Sequence, residues 1–255
     1  MRLLNALFYG SLILGLLLLF GRLSASSVHT ISYFSEGFDG WQPANPWEIS
    51  TQEGLEADNA YLRMPVGFGG NRGSKLIAFN PTEAWTGNFN QKSIIRVQLN
   101  FRNWSETDEV YLRIAISNLA NPQQSGGTWW VSKDYAYFGP ESGWGSATFE
   151  INADAMRRVG NIEGILGTDS FDSTLESIQG FRILSSTLGY AATGDEFYGV
   201  VGIDNVELIA IPEMNVGSIK LLWATFFLLV FFHKIDFKQY YRRVVQLVEQ
   251  RSPKP

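Results

Sequence analysis

The side chains that most often carry catalysis are scarce in this sequence: two histidines, His29 and His233, and no cysteine. Both histidines lie towards the ends of the chain. No Ser-His pair or histidine-built metal site is therefore available in its middle. The lack of cysteine excludes thiol nucleophiles, thiolate zinc sites, disulfides and a lipid anchor on an N-terminal cysteine. Carboxylates remain, and two of them facing one bond can hydrolyse a glycoside. The nearest candidates are Asp195-Glu196, the stretch from Asp204 to Glu207, and Asp169 with Asp172 in an apparent loop. Residues three apart on a regular strand point to opposite faces, so Asp204 and Glu207 are expected to be separated. Gly67-Phe68-Gly69-Gly70 lacks the strand and helix that a phosphate-binding loop needs. The expectation is a protein with no catalytic residues.

Other residues suit binding rather than reaction. Along Ser93 to Phe101, Ile95, Val97, Leu99 and Phe101 share one face, and Arg96, Gln98 and Asn100 share the other, with Arg102 continuing their row. Along Glu109 to Ser117, Tyr111 and Arg113 lie opposite Leu112, Ile114 and Ile116. These six outward residues could floor a shallow groove. Trp130 is the aromatic residue placed beside them, with Trp104, Trp129, Tyr135, Tyr137 and Trp144 also available. Trp129 and Trp130 are adjacent, so on a strand one points inward and the other outward. The same polar row equally forms the ordinary outer surface of an antiparallel sheet, and buried aromatics equally serve packing. Asn103-Trp104-Ser105 also matches a glycosylation sequon.

The elements that must position these residues read as strands. Besides the two above, candidates are Thr30 to Phe34, Ala60 to Met64, Lys75 to Phe79, Thr128 to Phe138, Ser146 to Ile151, Ile178 to Leu184 and Val200 to Ile209. Gly, Pro, Asn and Asp clusters separate them. The exception is Ala153 to Val159, which reads as a helix with Asn152 as its cap. The fold class predicted is all-β, a two-sheet antiparallel sandwich over residues 28–210. From Val28 to Glu213 there are 11 Lys and Arg against 23 Asp and Glu, a balance of −12. So acidic a domain is not expected to bind nucleic acid.

The phrase Phe34-Ser35-Glu36-Gly37-Phe38-Asp39-Gly40-Trp41 and the phrase Gly202-Ile203-Asp204-Asn205-Val206-Glu207-Leu208 open and close this domain. Together they resemble the first and last strands of galactose-binding-like jelly rolls, including carbohydrate-binding modules of families 4 and 22. The resemblance implies a jelly roll that binds a glycan or polysaccharide. The residues Arg96, Gln98, Asn100, Arg102, Tyr111, Arg113 and Trp130 would then form the ligand face. It also implies a structural Ca2+ between the opening and closing strands, at Glu36 and Asp204 with Asp39 as a third ligand. Without metal, Glu36 and Asp204 would simply accept turn and strand hydrogen bonds.

Both ends of the chain are apolar. Residues 1–26 resemble a secretory signal peptide, with Arg2, an apolar run from Leu3 to Phe20 and the small residues Ser24-Ala25-Ser26; an uncleaved anchor is the alternative. Residues 211–215 read as a linker. Val216 to Phe232 are 17 residues with one charge, Lys220. As a helix they would span about 25 Å, enough with slight bilayer thinning to cross a membrane. Six Lys and Arg against two acidic residues follow, which places the tail, residues 233–255, in the cytoplasm and the domain outside it. Phe237, Tyr240, Tyr241, Val244 and Val248 make that tail a basic amphipathic helix, suited to an anionic lipid surface or to a partner. Ile211-Pro212-Glu213, the apolar span and the basic end together resemble the PEP-CTERM sorting signal, which implies an exosortase-type enzyme as partner. The chain departs from that pattern at Met214, at Lys220 and in its 23-residue tail. The expected protein is a membrane-anchored bacterial surface protein. Its domain binds carbohydrate; the alternatives are a partner-binding ectodomain of an envelope complex and a tethered glycoside hydrolase.

Overall fold

The structure is a computed structural model, and it describes residues 27–43, 47–67, 75–120, 127–160 and 164–211. The chain divides into two compact units, residues 1–212 and 213–255. The expected signal peptide, apolar span and basic tail lie outside the described residues. Among the described residues no helix is long and apolar enough to cross a membrane.

Every strand pairing is antiparallel, and the strands form two sheets. Sheet A has the order β10 (Ser142–Glu150), β6 (Ile94–Asn103), β13 (Gly199–Ala210), β4 (Tyr61–Val66) and β3 (Glu48–Ser50). In it β1 (Ser27–Ser32) also pairs with β13, along the half that β4 leaves free. Sheet B has the order β11 (Met156–Val159), β8 (Trp129–Ser132), β7 (Val110–Ser117), β12 (Gly180–Ser185), β5 (Ile77–Asn80) and β2 (Gln42–Pro43). There β9 (Ala136–Phe138) pairs with the first half of β7. From β4 to β7 successive strands alternate between the sheets, so each connection crosses the sandwich.

Alternation decides what lies between the sheets. Val97, Leu99 and Phe101 of β6 and Leu62 and Met64 of β4 meet Leu112, Ile114 and Ile116 of β7 and Phe181 and Ile183 of β12 in one core. Burial of each such side chain contributes about 1.5–3 kcal/mol, and this drives the sheets together. The opening phrase seals one end of that core. Phe34 and Trp41 are fully buried, and the Trp41 indole Nε1 donates to Ser32 Oγ at 3.0 Å. Between them two tight turns close through Gly37 N to Phe34 O and Trp41 N to Phe38 O. Phe34 takes a left-handed φ of +59°, and Asp39 Oδ2 accepts its backbone N–H at 3.1 Å.

Two expectations are corrected. Ala153 to Val159 is not helical: after a turn in which Asn152 Oδ1 accepts Ala155 N at 2.8 Å, Met156–Val159 forms β11 and pairs with β8. The only described helix, α1 (Phe171–Leu175), starts at Ser170, whose side chain accepts Ser173 N. Asp204 and Glu207 also share a face. Asp204 pairs with Asn100 and Glu207 with Gln98, so three steps on β13 match two on β6. This β-bulge, with Asn205 at φ +46°, inserts one residue and restores the outward direction.

Candidate functional site

The seven residues expected to form one ligand face are divided by the sandwich. Arg96, Gln98, Asn100 and Arg102 line the outer face of sheet A, while Tyr111 and Arg113 line the outer face of sheet B. Trp130 points the other way, into the core: its Nε1 donates to Thr174 Oγ1 at 3.1 Å and its ring packs edge-on to Phe171. Its neighbour Trp129 is on the outer side of sheet B but is covered, in a second apolar layer with Ile77, Val131, Leu184 and Ala192. Neither tryptophan is a free platform. The segment that follows β12 folds back over this face, and Arg182 Nη1 donates to Ala192 O beneath it.

Arg113 is the post that holds this segment. Its guanidinium is buried and donates to Ser186 O, Ser132 O, Lys133 O and Thr187 O at 2.6–3.0 Å. Burial of the guanidinium disfavours its charge, and the second cause is the repulsion of Arg157. Four carbonyl acceptors replace the lost water. Gly189, at φ +64°, passes so close that a Cβ there would lie 2.9 Å from the Arg113 Cζ. Arg113 therefore positions backbone and leaves little of itself for a ligand.

What this post supports is a groove of about 360 Å3 at the end of sheet B where β7 begins and β12 finishes. Thr107, Asp108 and Glu109 form one wall, Tyr111 and Ser185 the floor, and Thr187, Asp195 and Glu196 the opposite wall. Three tyrosines stand beside it. Tyr111 packs against Tyr135 and Tyr137, with centroids 5.1 Å and 5.6 Å away, and Tyr135 and Tyr137 are about half exposed. The Arg113 guanidinium lies 5.1 Å from the Tyr135 ring centre and steadies it. Both the Tyr111 and Tyr137 phenols donate to the Glu109 carboxylate at 2.7 Å. Those two bonds hold Glu109 below its ordinary pKa and raise both phenols, Tyr111 to about 12. Asp108 Oδ2 accepts Tyr198 N and Asp195 Oδ2 accepts Thr187 N, which fixes the two walls. The site presents flat aromatic faces, hydroxyls and carboxylates held in fixed orientations.

Of these residues the sequence singled out Tyr111, named Tyr135 and Tyr137 as available aromatics, and gave Asp195-Glu196 only as a candidate carboxylate pair for hydrolysis. Asp108, Glu109 and Thr187 escaped it, since residues some 80 positions apart are joined here by loops. The expected metal ligands do not gather. Among the described residues no group of three His, Cys, Asp or Glu side chains is placed to hold a metal ion. Asp39 caps Phe34, Glu36 is exposed, and Asp204 is fully buried under hydrogen bonds from Asn205 N and Asn59 Nδ2 at 2.7 Å and 2.6 Å. These three carboxylates are not brought together as one ligand set. Asn103 of the sequon is also buried, and its Nδ2 donates to Asp108 O, Phe138 O and Gly139 O, so it is closed to a glycan.

Fold and site together define an antiparallel β-sandwich with a tyrosine-bordered groove on one sheet. No protein-family model matches the chain, and no curated protein matches its sequence. Among solved structures it is similar to a family 11 carbohydrate-binding module of a cellulosomal cellulase from Clostridium thermocellum: 15% identity, 73% of this chain and 95% of that one, TM-score 0.42. It is also similar to the C-terminal family 22 carbohydrate-binding module of a Clostridium thermocellum xylanase, at 9% identity, 75% and 98% coverage and TM-score 0.43. An exo-beta-agarase matches at 10% identity and TM-score 0.45, over 71% of this chain and 24% of the agarase. Similarity of this degree assigns no ligand to this chain.

Proposed function

We propose that this is a carbohydrate-binding surface protein held to a membrane by its C-terminal apolar span. The observation that carries the reading is the groove beside Tyr111. Sugar rings present apolar faces and rims of hydroxyls, and aromatic side chains beside oriented carboxylates answer both. Glu109 is fixed by two phenols and Asp195 by a backbone N–H, so little ordering is left to occur on binding. The proposal assigns binding and no reaction. The anchor rests on the composition of Val216 to Phe232, and its orientation on the acidic domain and basic tail. Recognition by an exosortase-type enzyme is the finer form of the same proposal, supported by Ile211-Pro212-Glu213.

The test is titration of the purified full-length chain, in detergent micelles, with glycan oligomers of varied linkage. Binding of at least one oligomer, weakened about ten-fold or more by Tyr111→Ala and by Tyr137→Ala, is the expected result. Absence of binding across the panel would overturn it. The exposed Leu188 and Tyr190 next to the groove would then favour a protein partner.

A further inference from the structure

On the other side of the sandwich, the outer face of sheet A carries a site of different chemistry. Gly202 has no side chain, and a Cβ there would meet Trp104 and Trp144, each at 2.8 Å. The two indoles occupy that depression edge to face, 5.9 Å apart, with Tyr61 packed against both. The Arg102 guanidinium lies 4.4 Å from the Trp104 ring centre. All three donors converge on one residue, Glu53, in the strap between β3 and β4. Trp104 Nε1 donates to its Oε2 at 2.9 Å, and Trp144 Nε1 donates to its carbonyl at 2.9 Å. Arg102 Nη1 donates to that carbonyl at 3.2 Å, and Nη2 stands 3.7 Å from Oε2.

We propose that Arg102, Trp104 and Trp144 form a second binding site, for a carboxylate-bearing sugar residue, and that Glu53 occupies it as a built-in stand-in. A buried structural carboxylate would be sealed in, yet the Glu53 side chain is 65% exposed and its backbone is left-handed at φ +59°. Displacing that side chain uncovers the Trp104 indole N–H and the Nη2 side of the Arg102 guanidinium, while Trp144 Nε1 and Arg102 Nη1 stay on the residue 53 carbonyl. A uronic acid residue supplies a carboxylate in place of that of Glu53, and a guanidinium binds such a carboxylate strongly. Next to the site, Asn100 and Ser146 are hydrogen-bonded to each other and Gln98 and Thr148 are exposed, so the sheet continues as a row of amides and hydroxyls. That row suits the hydroxyls of neighbouring sugars better than an acidic peptide. The site is independent of the groove on sheet B.

Glu53→Gly tests this, because glycine accepts the left-handed φ and removes the competing carboxylate. The full-length chain in micelles is titrated with galacturonic acid oligomers, with neutral cello-oligosaccharides and with polyglutamate, following heat and tryptophan fluorescence. Glu53→Gly is expected to bind the galacturonate oligomers about ten-fold more tightly than the natural chain, the factor one charge-assisted hydrogen bond supplies. Neither other probe should gain. Adding Trp104→Phe, which keeps an aromatic face and deletes the indole N–H, should reverse the gain; adding Tyr111→Ala should not. Should Glu53→Gly fold poorly, Glu53→Gln carries the test and should show a smaller gain of the same selectivity. No gain for galacturonate in the folded variant, or an equal gain for cello-oligosaccharides or polyglutamate, overturns the proposal.

Discussion

Glu109 is held by the two phenols that point at it, so its ionisation and theirs are one property. A phenol that donates to a carboxylate gives up that bond on losing its proton, which is why Tyr111 is pushed up to about 12. Replacing Glu109 by Gln should bring the Tyr111 phenol back towards its ordinary 10, measured by ultraviolet titration of the tyrosines. Asp204 works in the opposite sense. Burial raises its pKa from 3.8 to about 6, against the lowering effect of the bonds from Asn205 N and Asn59. A carboxyl whose pKa is higher folded than unfolded binds its proton more tightly in the fold. Its stabilisation is therefore present below the unfolded value and lost as pH rises through about 6. The melting temperature should fall between about pH 4 and about pH 6 more steeply in the natural chain than in Asp204→Asn. Equal slopes would remove Asp204 as the cause.

At the scale of elements, the strands and turns set what each residue can reach. Arg113 ties the segment after β12 to the bend between β8 and β9, and its loss strands four carbonyls. Arg113→Ala should cost at least about 2 kcal/mol in chemical denaturation, since each buried unsatisfied acceptor costs about 1–3 kcal/mol. It should also loosen the groove wall at Thr187. Phe101→Ala, in the middle of β6, should cost about 3–5 kcal/mol by leaving a cavity between the sheets. The strands β6 and β7 were legible because Val97, Leu99 and Phe101, and Leu112, Ile114 and Ile116, alternate without a break. Thr128 to Phe138 was expected as one strand; a bend at Lys133-Asp134 interrupts it, and β8 and β9 run in the same direction along β7. Met156 and Val159 sit at helical spacing, and pairing with β8 overrode that local signal. The bulge at Asn205 could not be foreseen from alternation, because it is a mismatch between two strands rather than a pattern in one. For the same reason Tyr111 was visible as outward-facing, while its union with Glu109, Thr187 and Asp195 needed the fold.

For the molecule as a whole, the two sheets carry outer faces of different make-up: tyrosines and carboxylates on B, arginines, two indoles and amides on A. The first and last strands are neighbours, with Ser27 opposite Ala210, so residues 27 and 210 sit side by side at one end of sheet A. An anchor at either end of the chain would join the domain at that same end of sheet A. Under the proposed anchoring, cells expressing the full-length chain should yield an intact β-sandwich to external protease while the tail stays protected, as immunoblots with separate tags would record. Loss of tail protection would place it outside. The placement of β13 has a further, mechanical consequence. Traction applied beyond Ile211 enters a strand with β6 on one side and β1 and β4 on the other. The load runs along β13, so its ladders are sheared together rather than opened one rung at a time. A domain tugged by whatever it grips would yield late and abruptly under single-molecule stretching, with sheet A as its clamp.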